Sequence, residues 1–191
     1  MTDYFALLGV SRRPWIDDEE LKAKYHSQTL KLHPDAPPEN GDGSTFTSIN
    51  EGYQTLRDPK RRLQHLLILE NFAGDRNSAT IPPRIQELFP RVSDTTQRSE
   101  AALVRARAAS SDLARSLLKP EVLRSQSDVG QLLQTLTQLN QEALGELEDL
   151  DKAWSNPDVD IATAHRLQLT FSYLGRWIAQ LEEKRFQLSL C

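Results

Sequence analysis

From Leu21 to Asp35 the chain reads LKAKYHSQTLKLHPD, an amphipathic helical run brought to a stop by a proline. Leu21, Tyr25 and Leu32 recur at helical spacing and make one apolar stripe, with Gln28 at its edge. Lys24 and Lys31 form a second stripe beside it, and Lys22 and His26 lie on the other flank. Such a helix has one side for a core and a basic side for something acidic. Pro34 disfavours helical geometry at His33 and has no amide proton to donate. His33, Pro34 and Asp35 are therefore presented at the tip of a turn.

The flanking sequence supplies elements of the same kind. Thr2 or Asp3 can cap a short helix bearing Tyr4, Phe5, Leu7 and Leu8, which Gly9 can end. Asp17 followed by Glu20 reads as a capping box for the basic helix. Beyond the turn-rich run APPENGDG, Phe46, Ile49, Tyr53 and Leu56 step by threes and fours and should meet Leu21, Tyr25 and Leu32. Asp58 and Pro59 open a fourth helix with Leu63, Leu66, Leu67 and Leu69, ending near Gly74. Lys60, Arg61 and Arg62 read as solubilising charge. His65 and His165 have no companions at ligand spacing and read as surface or satisfied packing residues.

Residues 75–92 have the composition of a linker with at most two helical turns before Pro90, which should break the helix. Residues 93–191 read as a helical bundle. An alanine-rich helix from Ala101 to Leu118 should stop at Pro120. Leu132, Leu136, Leu139, Ala143, Leu147, Leu150 and Trp154 then recur over six turns, and Asn156-Pro157-Asp158 marks a turn. Leu167, Phe171, Leu174, Ile178, Leu181 and Leu188 follow at heptad-like spacing. Strand patterns are missing throughout. The fold class is therefore all-α, with an N-terminal helical hairpin over residues 1–74 and a three-helix antiparallel bundle after it.

A formal net charge of −4 argues against a general nucleic-acid binder. The single cysteine, Cys191, excludes an internal disulfide and a cysteine-cluster metal site, and suits a reducing compartment. No apolar run approaches the ~20 residues needed to cross a bilayer, and the helical pattern already under way at residue 3 leaves no room for a leader, so the expected location is the cytoplasm.

Four segments in the order DYFALLGV, LKAKYHSQTLKL, HPD and FTSINEGYQTLRDP resemble the J-domain of Hsp70 co-chaperones, over Thr2 to about Gly74. The runs SINEGYQTLRDPKRRLQHLLIL and AQLEEKRFQL are similar to the HscB family, which serves iron–sulfur cluster assembly. The resemblance implies a docking face for an Hsp70, HscA-like or general, built from His33, Pro34 and Asp35 with Lys22, Lys24, His26 and Lys31. Asp35 would pair with a partner arginine, and the lysine face would steer encounter with an acidic patch. It also implies a client, the iron–sulfur scaffold protein, on a segment matched here by RIQELFPRV. Ile85 and Leu88 fall on apolar positions of that pattern, while Phe89 replaces an acidic residue.

Plainer readings stand beside these. The tripeptide alone could be a helix-ending turn, the lysines a solvated face, and the bundle leucines simply core. A catalytic His–Asp pair is rejected, because no nucleophile, phosphate loop or ligand set accompanies it, and no cofactor is implied. The rivals to an HscB-type co-chaperone are a J-domain protein with a different client and a helical adaptor without Hsp70 activity.

Overall fold

The computed structural model describes residues 2–31, 43–70, 80–154 and 161–191. The turn carrying His33, Pro34 and Asp35 lies outside them, as does Leu32. Eight helices are described, in the order α1 (Tyr4–Leu8), α2 (Asp18–Lys31), α3 (Gly43–Arg57), α4 (Pro59–Leu69), α5 (Pro83–Gln86), α6 (Phe89–Ala108), α7 (Asp112–Ala153) and α8 (Ile161–Ser189). No strand occurs among the described residues. The chain divides into two compact units, one of Met1–Thr80 with Gly145–Leu169 and one of Ile81–Leu144 with Thr170–Cys191. Residues 145–169, expected in the bundle, thus cluster with the N-terminal helices.

In the first unit, side-chain caps decide where each helix begins. Asp3 Oδ1 accepts from the amides of Phe5 (3.0 Å) and Ala6 (3.2 Å) at the start of α1. Gly9 ends α1 at φ +67°, a left-handed position that a residue without Cβ adopts at no steric cost. Asp17 Oδ1 accepts from the Glu20 amide at 2.9 Å ahead of α2, and Asp58 Oδ1 accepts from the Arg61 amide at 2.9 Å ahead of α4. The helices close over Phe5, Leu8, Ile16, Leu21, Ile49, Leu56 and Leu66, against which Tyr25, Tyr53 and Trp154 pack. Each fully buried apolar side chain here stabilises the unit by about 1.5–3 kcal/mol.

Two expectations fail in this unit. Phe46 is 50% exposed, although its spacing places it on the apolar face of α3. Periodicity selects a face, but burial also needs an element packed opposite it. Arg62, expected as solubilising charge, is 3% exposed, with its polar atoms turned inward onto two backbone carbonyls.

In the second unit α6, α7 and α8 pack around Leu103, Val129, Leu132, Leu136, Leu174, Trp177, Leu181 and Leu188. Ion pairs give the helix directions. Arg98 meets Asp128 and Arg105 meets Glu121, so α6 and α7 run antiparallel. Glu100 meets Lys184 and Phe89 meets Tyr173, so α6 and α8 run parallel.

Both prolines behave otherwise than the sequence suggests. Pro90 lies in the first turn of α6, where no intrahelical amide bond is lost, so it starts the helix that it was expected to break. Pro120 lies inside α7, and the break comes earlier, at Ala109–Ser111. There Ser111 Oγ accepts from the Ala114 amide at 3.2 Å and caps the new helix.

Candidate functional site

The described part of the expected docking face is the outer side of α2. Lys22, Lys24 and His26 are all exposed on it, and Lys31 is its last helical residue. The opposite side is fixed by the buried Leu21 and by Tyr25, whose ring stacks on Tyr53 with centroids 4.3 Å apart and planes 23° apart. Asp18, Glu19 and Glu20 fill the first turn of α2, where negative charge is favoured. Acidic residues therefore sit at one end of the helix and the basic ones follow along it.

Where α2 begins is set by the connector from Ser11 to Ile16, and polar side chains hold that connector from three directions. Arg12 Nε donates to Asp3 Oδ2 at 2.9 Å. Arg13 Nε donates to Asp151 Oδ1 at 2.9 Å, its Nη2 engages Asp151 Oδ2, and the Trp15 amide donates to Asp151 Oδ1 at 3.1 Å. Arg62 Nε donates to the Pro14 carbonyl at 2.7 Å, while its Nη1 donates to the Leu56 carbonyl at 2.7 Å. One arginine thus ties the connector to the C-terminal end of α3. Pro14 and Ile16 are buried between these ties.

The electrostatics follow the burial. Loss of solvent lowers the Arg62 pKa to about 10, against the pull of Asp18, Asp58 and Asp151, so the group is still charged at neutral pH. Asp151, itself 6% exposed, raises the Arg13 pKa through their hydrogen bond. Burial pushes Asp3 upward, but Arg12 and the amides of Ala6 and Phe5 outweigh it and the carboxyl ends below its ordinary value.

His65 is a buried packing residue. Its Nε2 accepts from the Tyr4 amide at 3.1 Å, its ring stacks near Phe5, and burial lowers its pKa. With Nε2 accepting, the neutral ring carries its proton on Nδ1, which is buried without a partner. Sequence reasoning missed Asp151, which is 138 and 136 positions from Arg13 and Trp15, and the inward role of Arg62, which is 48 positions from Pro14.

The expected client residues separate in the structure. Ile85 and Leu88 belong to the core of the second unit and present nothing to a partner. Phe89 is 39% exposed and meets Tyr173 and Trp177 edge-on, with centroids 5.4 Å and 5.0 Å away. The surface here is thus an aromatic group shared by α6 and α8. Its signal was the Tyr173–Trp177 pair, spaced four apart on one helix face.

Among the described residues no group of three or more His, Cys, Asp or Glu side chains could hold a metal ion. No described helix is long and apolar enough to cross a membrane.

Comparison with known proteins agrees with this arrangement. Residues 3–65 match the pattern of the DnaJ domain. The chain is 43% identical over 61 residues to the chaperone protein DnaJ of Rhizobium rhizogenes, covering 31% of this chain and 15% of that protein. It is 37% identical over 93 residues to a co-chaperone protein HscB homolog of Azoarcus, covering 44% of this chain and 52% of that protein. The chain therefore spans about half the length of the latter relative and much less of the former. In fold it is similar to the chaperone HscB from Vibrio cholerae, with a TM-score of 0.54 at 16% identity over 98% of this chain and 99% of that one. The chain thus carries a DnaJ domain at residues 3–65, and its helices are arranged in a fold similar to that of HscB.

Proposed function

We propose that the protein is a cytoplasmic co-chaperone that stimulates the ATPase of an Hsp70 partner and delivers a client to it. The observation that carries the reading is the DnaJ domain at residues 3–65, in which α2 turns Lys22, Lys24 and His26 outward on a buried scaffold. The protein performs no covalent chemistry of its own. By binding one nucleotide state of the partner more tightly than the other, it shifts that partner toward hydrolysis and client capture. His33, Pro34 and Asp35, with Lys31, complete the docking face, and Asp35 supplies the charged contact to a partner arginine.

The deciding experiment is Asp35→Asn. The variant should keep the wild-type circular dichroism and melting temperature while losing stimulation of the cognate Hsp70 ATPase. Full stimulation by a folded variant would end the reading and leave a helical adaptor.

Kinship with HscB supports the iron–sulfur scaffold as client, with Phe89 as the residue of the expected client segment that faces solvent. The burial of Ile85 and Leu88 favours a second reading, in which the J-domain is retained and the client differs. Co-purification with the scaffold, reduced by Phe89→Ser, supports the first; stable capture of another protein in its place supports the second.

A further inference from the structure

Three aromatic rings close on one another between α6 and α8 in the second unit. Phe89 meets Tyr173 and Trp177 edge-on, and Tyr173 lies 5.6 Å from Trp177 between centroids. Trp177 belongs to the core, Tyr173 is half-buried and Phe89 is the exposed member. The group thus passes from the interior to the surface. Its outer ring is held from beneath, so it can receive apolar area from a partner without first losing rotamer freedom.

Arg176 stands on the same rim. Its guanidinium carbon lies 5.7 Å from the centroid of the Tyr173 ring, and the residue is exposed. The ring attracts the cation and limits where it can go, while the N–H groups stay open to an acceptor. The ion pairs of α8 join Arg166 to Glu146, Lys184 to Glu100 and Arg185 to Glu182, and among the described residues no carboxylate lies at ion-pair distance from Arg176. Its neighbours one turn away on α8 are neutral as well. On α6, Asp94 is engaged by Arg98 and Glu100 by Lys184. An exposed phenyl ring and an unpaired guanidinium therefore share one support, the Tyr173 ring, with no acid of this surface to satisfy the cation.

We propose that Phe89 and Arg176 form a two-point site for a partner segment that carries a carboxylate beside a large apolar side chain. The apolar side chain lies against Phe89, and the carboxylate takes the forked donors of Arg176, a match of planar groups that an ammonium would not reproduce. Stacking on Tyr173 covers part of the guanidinium and fixes its position, so the pair is formed by a preorganised cation rather than a free one. The charge selects the sign of the partner and the ring selects its apolar neighbour. The inference rests on the reading in which this unit carries the client, and it names the chemistry of the client segment whichever protein supplies it.

The test selects random short peptides displayed on phage against the immobilised full-length chain and against its Phe89→Ser and Arg176→Glu variants, each with its melting temperature checked. Peptides taken by the parent should carry Asp or Glu beside a large apolar residue. Arg176→Glu should turn the enriched charge to Lys or Arg, a change of preference that a loss of fold cannot produce. Phe89→Ser should lose the apolar residue and keep the acid. In a fluorescence titration, exchanging the acid of a selected peptide for its amide should weaken binding to the parent on the order of tenfold. No enrichment, enrichment without an acid, or the same acidic preference in Arg176→Glu overturns the proposal. So does binding to phosphatidylserine vesicles with no peptide selected, which assigns the face to a membrane, or a dimer in sedimentation that both variants dissolve, which assigns it to a second copy of this chain. Stimulation of the cognate Hsp70 ATPase by the parent is measured alongside. Acidic peptides without stimulation sink the co-chaperone reading and leave this site, whereas stimulation without them does the reverse.

Discussion

Arg13 and Asp151 stand 138 positions apart in sequence and meet side-on, Nε to Oδ1 at 2.9 Å with Nη2 on the second oxygen. The carboxylate is buried and also takes the Trp15 amide, whereas the guanidinium is half in solvent. The pair is therefore asymmetric. Removing the acid orphans three N–H donors, while removing the base leaves the acid its bond from the Trp15 amide.

Asp151→Ala should accordingly destabilise the protein by about 2–4 kcal/mol, and Arg13→Ala by about 1 kcal/mol. Urea denaturation of both variants checks the order. Equal losses would mean that the Trp15 contact contributes nothing.

Arg62 holds the Pro14 and Leu56 carbonyls with no solvent to replace it. Arg62→Met keeps much of the volume but leaves both acceptors buried and unbonded, at an expected cost of about 2–4 kcal/mol. Arg62→Lys, with one compact ammonium, should fall between the two. A methionine variant as stable as the parent would show that desolvating the arginine cancels what its bonds contribute.

Burial holds the His65 pKa below that of a free histidine, so between the two values the unfolded chain binds the additional proton. Stability is therefore full above the unfolded value near 6.5 and falls as pH drops toward the folded value. Protonated Nε2 can no longer accept from the Tyr4 amide, so α1 loses an anchor. Among the groups acting on the ring, Asp3 opposes this loss and Arg12 adds to it. Urea midpoints should fall from about pH 7.5 to about pH 5, and His65→Gln, which keeps an acceptor without a titrating ring, should flatten the profile. The same slope in both proteins would place the sensitive group elsewhere.

Pro120 removes the amide that the Ser116 carbonyl would accept from, eight residues into α7. Leu113 and Leu117, ahead of it, are largely exposed, so little packing compensates. Pro120→Ala should stabilise the first turns of α7 by about 1–3 kcal/mol and slow amide exchange there. Unaltered exchange ahead of residue 120 would mean that this stretch is held by something other than its backbone.

Apolar spacing was readable wherever a helix lies against others along most of its length. Leu132, Leu136, Ala143, Leu147 and Leu150 on α7, and Leu167, Phe171, Leu174, Leu181 and Leu188 on α8, are all buried as their periodicity requires. The failures have a common origin in what local pattern omits. Arg62 looks like part of a basic surface run until Pro14 and Leu56 are brought opposite it, and Asp151 looks like one acid among several until Arg13 arrives. Ile85 and Leu88 carried the right pattern for an exposed apolar face, yet that same pattern describes a core. Pro120 was read as a stop because a lone helix would stop there, whereas Ser111 supplies a better start for α7 close upstream. The outward face of α2 was legible because three exposed basic residues beside a buried leucine and a stacked tyrosine need only helical geometry.

That Asp151 belongs to the same unit as the N-terminal helices has a practical corollary for anyone who would excise the DnaJ domain. A fragment ending near residue 80 would carry Arg13 and the Trp15 amide but lack the acid that anchors them. It would also lose the Trp154 ring, which packs beside the core of that unit. Its α2 would begin from a slackened tether, and assays on such a piece would understate what the intact chain delivers. Supplying residues 145–169 in trans, or grafting them back, is the way to recover the native starting point of that helix.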